Sequence, residues 1–287
     1  MPSLRALVEL VRAPAALSVP GDVVAGAAAG GAFRPRTAGL AAASVCLYWS
    51  GMAANDWADR ELDAVERPER PIPSGRVTPS QALGVAAGLT VAGVALAALA
   101  GGRRALAVAL PLAGTVWAYD LRAKNTPAGP AVMAACRGLD VLLGAAPGRV
   151  VRALPAALTV AAHTYTVTAL SRREVSGADR ALPAATLAGT AAVALSAGLP
   201  AARNGRGAAA VPGALAAWYA AGYGAAQARV AADPSAARVR AAVGAGITGL
   251  PPLQGALAAS AGAPATGVVV AAFAPLARRL ARKVSPT

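Results

Sequence analysis

The stretch NDWADRELDAVERPERPIPSG, residues 55–75, holds six of the thirteen acidic residues of the chain and directly follows a long apolar run. The rest of the sequence is apolar and basic, with 56% hydrophobic residues, 14% charged residues and a net charge of +14. Soluble domains average about 25% charged residues. A charged segment between apolar runs therefore indicates a polar loop that leaves a membrane-embedded helical protein.

Ten weakly polar runs predict the helices of an all-α, polytopic membrane bundle. Several are long enough to span, since about 20 residues cross the hydrocarbon core. The runs are residues 14–33, 38–54, 79–100, 105–119, 131–147, 150–170, 181–200, 208–228, 239–259 and 263–277. The longest polar interruptions between them, numbered first to fourth below, are residues 55–78, 120–130, 171–180 and 229–238. None is long enough to separate two folded units, so we expect one intramembrane domain over residues 1–287.

The runs consist mainly of Ala, Val, Leu and Gly, which favours close packing between neighbouring helices. Gly84 and Gly88 in GVAAG have the spacing that lets helices approach each other. The alternative is that the alanine content only reflects genomic base composition. Both cysteines, Cys46 and Cys136, fall within apolar runs, so no disulfide framework is expected.

The basic residues lie between apolar runs and form no single patch, which argues against a nucleic-acid partner. If the first polar interruption is cytoplasmic and the sides alternate along ten runs, nineteen of the 27 Lys and Arg residues are cytoplasmic. This asymmetry agrees with the positive-inside rule. Nearly all acidic residues fall on the same side, so the chemistry is expected on the cytoplasmic face.

The acidic stretch has the residue types of a Mg²⁺ site. On a helix that leaves the membrane, Asn55, Asp59 and Asp63 share one stripe, and Asp56 lies beside it. Their carboxylates would repel one another unless they share a cation. Oxygen ligands favour Mg²⁺, which is usually completed by water and substrate phosphates. The alternative is a solvated charged loop.

Three arginines follow in the proline-rich segment RPERPIPSGR. The prolines stiffen the backbone and hold Arg67, Arg70 and Arg76 in place. Guanidinium groups are suited to binding phosphate. Carboxylates for Mg²⁺ beside arginines for phosphate predict a diphosphate site.

These residues resemble the UbiA superfamily of intramembrane prenyltransferases, whose first motif is NDxxDxxxD followed by an RPxxSG loop. NDWADRELD and RPIPSG match in order and spacing. The resemblance implies that Asn55, Asp56, Asp59 and Asp63 hold Mg²⁺ bridged to an isoprenoid diphosphate. It also implies nine transmembrane helices, so one of the last two runs could be a half-helix or lie at the interface.

YDLRAKNT at 119–126 is similar to the Tyr and Lys element of that family. The resemblance implies that Lys124 and Arg122 contact the diphosphate and that Tyr119 lies near the scissile bond. A Tyr and a Lys at a helix end are also common as membrane-interface anchors.

The second acidic motif departs from the family pattern. The family has two aspartates a helical turn apart, whereas TALSRREVSGADR offers Glu174 and, five residues later, Asp179. Glu174 is a candidate metal ligand, Arg172 and Arg173 are candidate diphosphate contacts, and Asp179 is expected to pair with Arg180. The segments CRGLD at 136–140, SRREVSG in this loop and PGD near the start look closest to the EboC-like branch of the superfamily.

Among the polar residues within apolar runs, Arg137, Asp140 and His163 are candidates for a functional role. Arg137 and Asp140 are three positions apart and are expected to pair, since an unpaired charge in the membrane is costly. The pair could orient an acceptor or the diphosphate, or be purely structural. His163 lies eleven residues before Glu174 and so near the same helix face. It is a candidate general base, and the alternative is a buried histidine with satisfied hydrogen bonds.

The resulting expectation is a Mg²⁺-dependent prenyltransferase of isoprenoid biosynthesis. It would move an isoprenoid group from a prenyl diphosphate to an unidentified acceptor. It would lie in a bacterial cytoplasmic membrane with the site opening to the cytoplasm. Two alternatives stay open, a membrane terpene cyclase and a non-catalytic protein that binds or helps transport isoprenoid diphosphates.

Overall fold

The computed structural model describes residues 2–202 and 206–284, and within these ranges the regular elements are helices. The α-helices are α1 (Leu4–Leu10), α2 (Val19–Ala29), α3 (Thr37–Ala58), α4 (Arg60–Glu66), α5 (Pro79–Ala118), α6 (Gly129–Ala145), α7 (Val150–Ser171), α8 (Ala181–Ala202), α9 (Arg206–Tyr219), α10 (Ala225–Ala232), α11 (Ala236–Ser260) and α12 (Pro264–Val284). Arg203 is one of the eight basic residues that the ten-run topology assigns to the side opposite the cytoplasm, and it lies outside the described residues.

Each of the ten apolar runs coincides with a helical segment, which confirms the all-helical architecture. The first run is broken, because a 3₁₀ turn at Ala13–Ser18 precedes the short α2, and Pro20 and Gly21 open that helix. By length and composition, four segments of the described chain could cross a membrane, namely Thr37–Ala58, Pro79–Ala123, Val150–Ser171 and Ala181–Gly198. The count of nine transmembrane helices stays a prediction.

Helix α5 carries two of the runs because the chain reverses within it. Gly102 has φ 65° and ψ −154°, a conformation that is open to glycine and costly for other residues. As a result, the Trp117 indole donates a hydrogen bond to Thr90 Oγ1 at 3.0 Å, although 27 residues separate them. The break predicted between residues 100 and 105 is therefore a turn between two antiparallel arms.

The four polar interruptions meet at one end of the bundle. Lys124 contacts Asp59 at 2.6 Å, which joins the first interruption to the second. Arg172 of the third donates a hydrogen bond to a backbone carbonyl of the second. Ala178 N donates to Pro234 O at 3.0 Å, which adds the fourth. The prediction that the polar segments share one face is confirmed, and the side of the membrane that this face meets stays a prediction.

The backbones of helices α2 and α6 approach each other closely at glycine positions. A Cβ added at Gly26 would lie 1.7 Å from Val141 O, and one added at Gly144 would lie 2.0 Å from Val23 O. The helix contact expected at GVAAG is wrong, because a Cβ at Gly84 or Gly88 meets nothing within 4 Å among the described residues. Small-residue spacing identifies helices that can approach and does not identify their partner.

We expect Gly144→Ala to lower the free energy of unfolding by about 2–3 kcal/mol, because the new methyl must push α2 away from α6. Unfolding of the purified protein in mixed micelles by increasing SDS would measure this change. Gly88→Ala is the matched control, and its expected effect is at most a gain of about 1 kcal/mol from helix propensity. Equal effects of the two substitutions would contradict the packing described for α2 and α6.

Candidate active site

The acidic stretch lies where α3 ends and α4 begins. Asp59 separates the two helices with φ −89° and ψ 3°. The backbone bonds continue across it, with Asp59 N donating to Asn55 O at 2.9 Å and Asp63 N donating to Asp59 O at 2.8 Å. Asn55, Asp59 and Asp63 therefore follow one another by single helical turns, as the spacing predicts, although not on one unbroken helix.

Two arginines neutralise the buried carboxylates of this stretch. Arg70 Nη1 lies 2.6 Å from Asp63 Oδ2 and 3.3 Å from Asp56 Oδ1. Arg12 Nη2 lies 2.6 Å from the same Asp56 oxygen. Arg12 has a positive φ of 46°, a backbone conformation that is uncommon for a residue other than glycine. The network ties the segment before α2 to the loop that follows α4.

The proline-rich loop holds Arg70 by its own turns. Ser74 N donates to Arg70 O and Gly75 N to Ile72 O, each at 3.0 Å. Gly75 has φ 74°, which favours glycine at this turn. Pro71 and Ile72 are buried beneath the loop. The RPIPSG sequence thus fixes a compact turn that points its first arginine at Asp56 and Asp63.

The two quoted motifs meet at Asp59 and Lys124. A π-helical turn at Tyr119–Ala123 ends the second arm of α5 and leads directly to Lys124. The Lys124 ammonium lies 2.6 Å from Asp59 Oδ1. Asn55 Nδ2 donates to Asp120 Oδ1 at 3.3 Å. NDWADRELD and YDLRAKNT are therefore joined through both a salt bridge and a hydrogen bond.

A narrow cleft between α2, α3, α5 and α6 opens beside these contacts, with a cavity volume of about 80 Å³. Asp120 and Tyr119 line its mouth, while Ser44 and Asp140 line its inner end about two to three helical turns deeper along α3 and α6. The complete lining is Val19, Ser44, Leu47, Tyr48, Gly51, Met52, Leu112, Val116, Tyr119, Asp120, Met133, Cys136, Arg137 and Asp140. Apolar side chains make up most of the wall between the two polar ends.

The pairing expected between Arg137 and Asp140 is wrong. Arg137 Nε lies 2.8 Å from Asp22 Oδ2, and its Nη2 donates to Ser18 O at 3.3 Å. Asp140 instead accepts the hydroxyl hydrogen of Ser44, whose oxygen lies 2.5 and 2.7 Å from the two carboxylate oxygens. Residues three apart on a helix can pair, but the broken first helix brings Asp22 to the side of Arg137.

The remaining arginines of the first two motifs are spread over the polar end. Arg67 and Arg122 are exposed. Arg76 is turned away from the acidic stretch and binds Glu9 of α1 and the Glu69 carbonyl. The structure therefore brings Arg70 into the cluster of carboxylates, whereas Arg67, Arg76 and Arg122 lie nearer to solvent.

The third polar interruption approaches the first. Burial raises the pKa of the Glu174 carboxyl, and the guanidinium groups of Arg240 and Arg67 act in the opposite direction. Arg172 binds the carbonyl of Thr126, and Arg173 is exposed. The pairing expected between Asp179 and Arg180 is not seen, because Asp179 caps α8 by accepting from Leu182 N at 2.9 Å.

His163 lies in the other half of the bundle and does not line the cleft. Its Nδ1 is 2.9 Å from the Tyr219 hydroxyl, and the rings of Tyr219 and Tyr223 pack edge-on against it. The side chain is 2% exposed. This placement favours a buried histidine with satisfied hydrogen bonds over a general base at the site.

Sequence reasoning missed Arg12 and Asp120 as members of the site and gave no chemical role to Asp22. Asp120 directly follows Tyr119 in a motif already singled out, so its position was a usable signal. Arg12 precedes the proline-containing break before α2, and Asp22 lies in the first turn of α2. Only the fold shows that this break turns both toward α3 and α6.

The aspartate oxygens of the acidic stretch suit a Mg²⁺ site whose remaining ligands come from water and substrate phosphates. Within residues 2–202 and 206–284, no three acidic, histidine or cysteine side chains converge closely enough to hold a metal ion unaided. The contacts with Arg12, Arg70 and Lys124 use one oxygen of each aspartate, which leaves the second oxygen for a metal. Mg²⁺ commonly binds through one or two carboxylates and takes its other ligands from water and substrate phosphates.

Comparisons with known proteins agree with this architecture. A family model for the UbiA prenyltransferase family matches residues 17–240. The digeranylgeranylglyceryl phosphate synthase of Methanopyrus kandleri is 40% identical over 154 residues, which are 51% of this chain and 54% of that protein. Chlorophyll synthase of Oryza sativa is 38% identical over 84 residues, 27% of this chain and 22% of that protein. The chain matches only about half the length of the archaeal relative.

Solved structures show the same fold. A UbiA homologue from Aeropyrum pernix superposes with a TM-score of 0.68 at 20% identity, covering 89% of this chain and 97% of that one. A structure described as a digeranylgeranylglyceryl phosphate synthase in membranes gives the same TM-score at 18% identity, covering 90% and 98%. The family match covers more than half of the chain and includes the clustered motifs. The chain therefore belongs to the UbiA prenyltransferase family.

Proposed function

We propose that this protein is an intramembrane prenyltransferase that moves an isoprenoid group from a prenyl diphosphate to an acceptor, with Mg²⁺ as its metal. The observation that carries the proposal is the contact of 2.6 Å between Asp59 and Lys124, in the motifs that also supply Asp120 to the lining of the cleft. It places a carboxylate suited to Mg²⁺ and an ammonium suited to phosphate side by side, next to an apolar cavity within helices.

The cations at the mouth are suited to receive the diphosphate. Arg12, Arg70 and Lys124 are paired with Asp56, Asp63 and Asp59. Their N–H groups can turn to diphosphate oxygens once the carboxylates hold metal. Asn55, Asp56, Asp59 and Asp63 would hold Mg²⁺, with Glu174 as a candidate for a second ion. Bound Mg²⁺ supplies Lewis-acid stabilisation of the departing diphosphate.

The rest of the cleft is suited to the isoprenoid chain. Its apolar wall, which includes Leu47, Leu112 and Val116, can enclose the allylic carbon and exclude water. Cleavage of the allylic C–O bond leaves both electrons on the diphosphate. The acceptor then donates an electron pair to the allylic carbon and loses a proton. Tyr119 lies between these regions and is placed to contact the leaving group.

The relatives suggest one acceptor class to test. Several archaeal relatives are named digeranylgeranylglyceryl phosphate synthases, which makes a glyceryl phosphate an acceptor candidate. The EboC-like branch, the bacterial cytoplasmic membrane and the opening toward the cytoplasm are part of the same proposal. They rest on the sequence motifs and the charge distribution.

The test is diphosphate release by the purified protein in nanodiscs, measured with geranyl, farnesyl and geranylgeranyl diphosphates, with and without Mg²⁺. We expect release that requires Mg²⁺ and rises when an acceptor is added. Release with a cyclised product and no acceptor would instead identify a terpene cyclase. Tight binding without release under any acceptor condition would overturn the proposal in favour of a binding or transport role.

A further inference from the structure

The inner end of the cleft carries a carboxylate that the diphosphate site does not use. Asp140 is 5% exposed and lines the cleft. The Ser44 hydroxyl is its hydrogen-bond donor among the described residues, and one hydroxyl has a single hydrogen for the two carboxylate oxygens. Asp140 therefore has capacity to accept further hydrogen bonds from a ligand in the cleft.

Among the described residues, Arg137 is the one arginine that lines the cleft, and it is already paired elsewhere. Arg137 binds Asp22 at 2.8 Å, and Gln254 Nε2 donates to the other oxygen of Asp22 at 2.6 Å. In the described part of the chain, no Lys, Arg or His nitrogen comes within 4.0 Å of either Asp140 or Asp120. The ion pair of Arg137 and Asp22 is neutral overall, so Asp140, when ionised, adds one negative charge without a salt-bridge partner among the described residues.

The two ends of the cleft thus differ in what they can bind. Beside the end lined by Tyr119 and Asp120, the polar end of the bundle carries Arg12, Arg70 and Lys124, cations that can receive an anionic diphosphate. At the inner end, Asp140 offers only acceptor oxygens, and Ser44 and Tyr48 add hydroxyl groups one turn apart on α3. A phosphate or carboxylate placed there would face the carboxyl group of Asp140, and the nearby guanidinium of Arg137 is already paired with Asp22.

We propose that the inner end of the cleft is the acceptor subsite and that Asp140 selects acceptors whose head group donates hydrogen bonds, a hydroxyl or an amine, over anionic head groups. The identification of the ligand as the acceptor rests on the proposed function, while the charge selectivity rests on the contacts alone. An acceptor that carries phosphate would have to keep that group at the mouth, beside Arg12 and Lys124.

Cys136 provides a reporter within the cleft. It lines the wall one turn before Asp140, and Cys46 is the only other cysteine of the chain. In a Cys46→Ala background, we would measure the rates at which Cys136 reacts with two methanethiosulfonates of similar size, one carrying trimethylammonium and one carrying sulfonate. The ratio of these rates, divided by the ratio for a small thiol in solution, reports the local charge without any turnover.

We expect the cationic reagent to be favoured on the order of tenfold. Asp140→Asn should remove most of this preference, whereas Ser44→Ala keeps the charge and should keep the preference. Glu61→Gln, at an exposed site outside the cleft, should leave it unchanged. A second reporter, Met133→Cys in a cysteine-free background, should show the same preference for the cationic reagent and the same dependence on Asp140.

The proposed subsite would be overturned if the ratio of the cationic to the anionic reaction rate equals that of the free thiol. The same holds if Asp140→Asn leaves the ratio unchanged. A failure of both reporters to react with either reagent would also overturn it, because the inner end would then be closed to head groups of this size. If the ratio behaves as expected while no prenyl diphosphate is consumed, the proposed function fails and the charge selectivity stands.

Discussion

Asp59→Asn is expected to lower the rate of prenyl diphosphate turnover by about 10²–10³-fold, the range found when one electrostatic contact to a developing negative charge is removed. The asparagine keeps the size of the side chain and removes the charge that faces Lys124 at 2.6 Å. Under the proposed function, the substitution would weaken a ligand for Mg²⁺, and it removes the charged partner of the Lys124 ammonium. Initial rates of diphosphate release in nanodiscs at saturating Mg²⁺ would measure the effect.

Lys124→Met, and the double variant that combines it with Asp59→Asn, show whether Asp59 and Lys124 act as a unit. If both serve the same leaving group, the double variant should be little slower than either single one, because the effects of such residues do not add. Glu61→Gln is the matched control, since it lies two residues from Asp59 with a side chain that is 88% exposed. Independent, multiplicative losses, or a loss as large for Glu61→Gln, would contradict the assignment.

Much of the fold could be predicted because hydropathy and glycine or proline breaks act locally. The reversal at Gly102 follows from a polar, glycine-containing gap between two apolar runs. The failure at GVAAG has the opposite cause. Which face of a helix meets a neighbour depends on the whole bundle, and Gly84 and Gly88 face open space while Gly26 and Gly144 make the close contact.

The candidate site likewise contains residues that the sequence could predict and residues that it could not. The spacing of Asn55, Asp59 and Asp63 fixes their common direction, so the sequence identified that stripe. Arg12 reaches Asp56 over 44 residues, and no local pattern encodes such a contact. For His163, the helical phase does not carry to Glu174, because α7 ends at Ser171, and the histidine packs on Tyr219 and not on the cleft.

Arg137→Met should lower the free energy of unfolding by about 3–5 kcal/mol, because it leaves one member of a buried ion pair without its partner. Asp22 is fully buried and would keep only the hydrogen bond from Gln254. The pair also joins the broken first helix to α6, so its loss should loosen the wall of the cleft. Unfolding of the protein in mixed micelles by SDS, followed by circular dichroism, would give the change.

Removing both charges separates the cost of an orphaned carboxylate from the loss of packing. The double variant Asp22→Asn with Arg137→Met should regain most of the stability, since a neutral amide is far cheaper to bury than an unpaired charge. Arg152→Met, at an exposed position on α7, should change the unfolding free energy by less than about 0.5 kcal/mol. A double variant as unstable as Arg137→Met alone would show that the arginine acts through the packing of its side chain and not through Asp22.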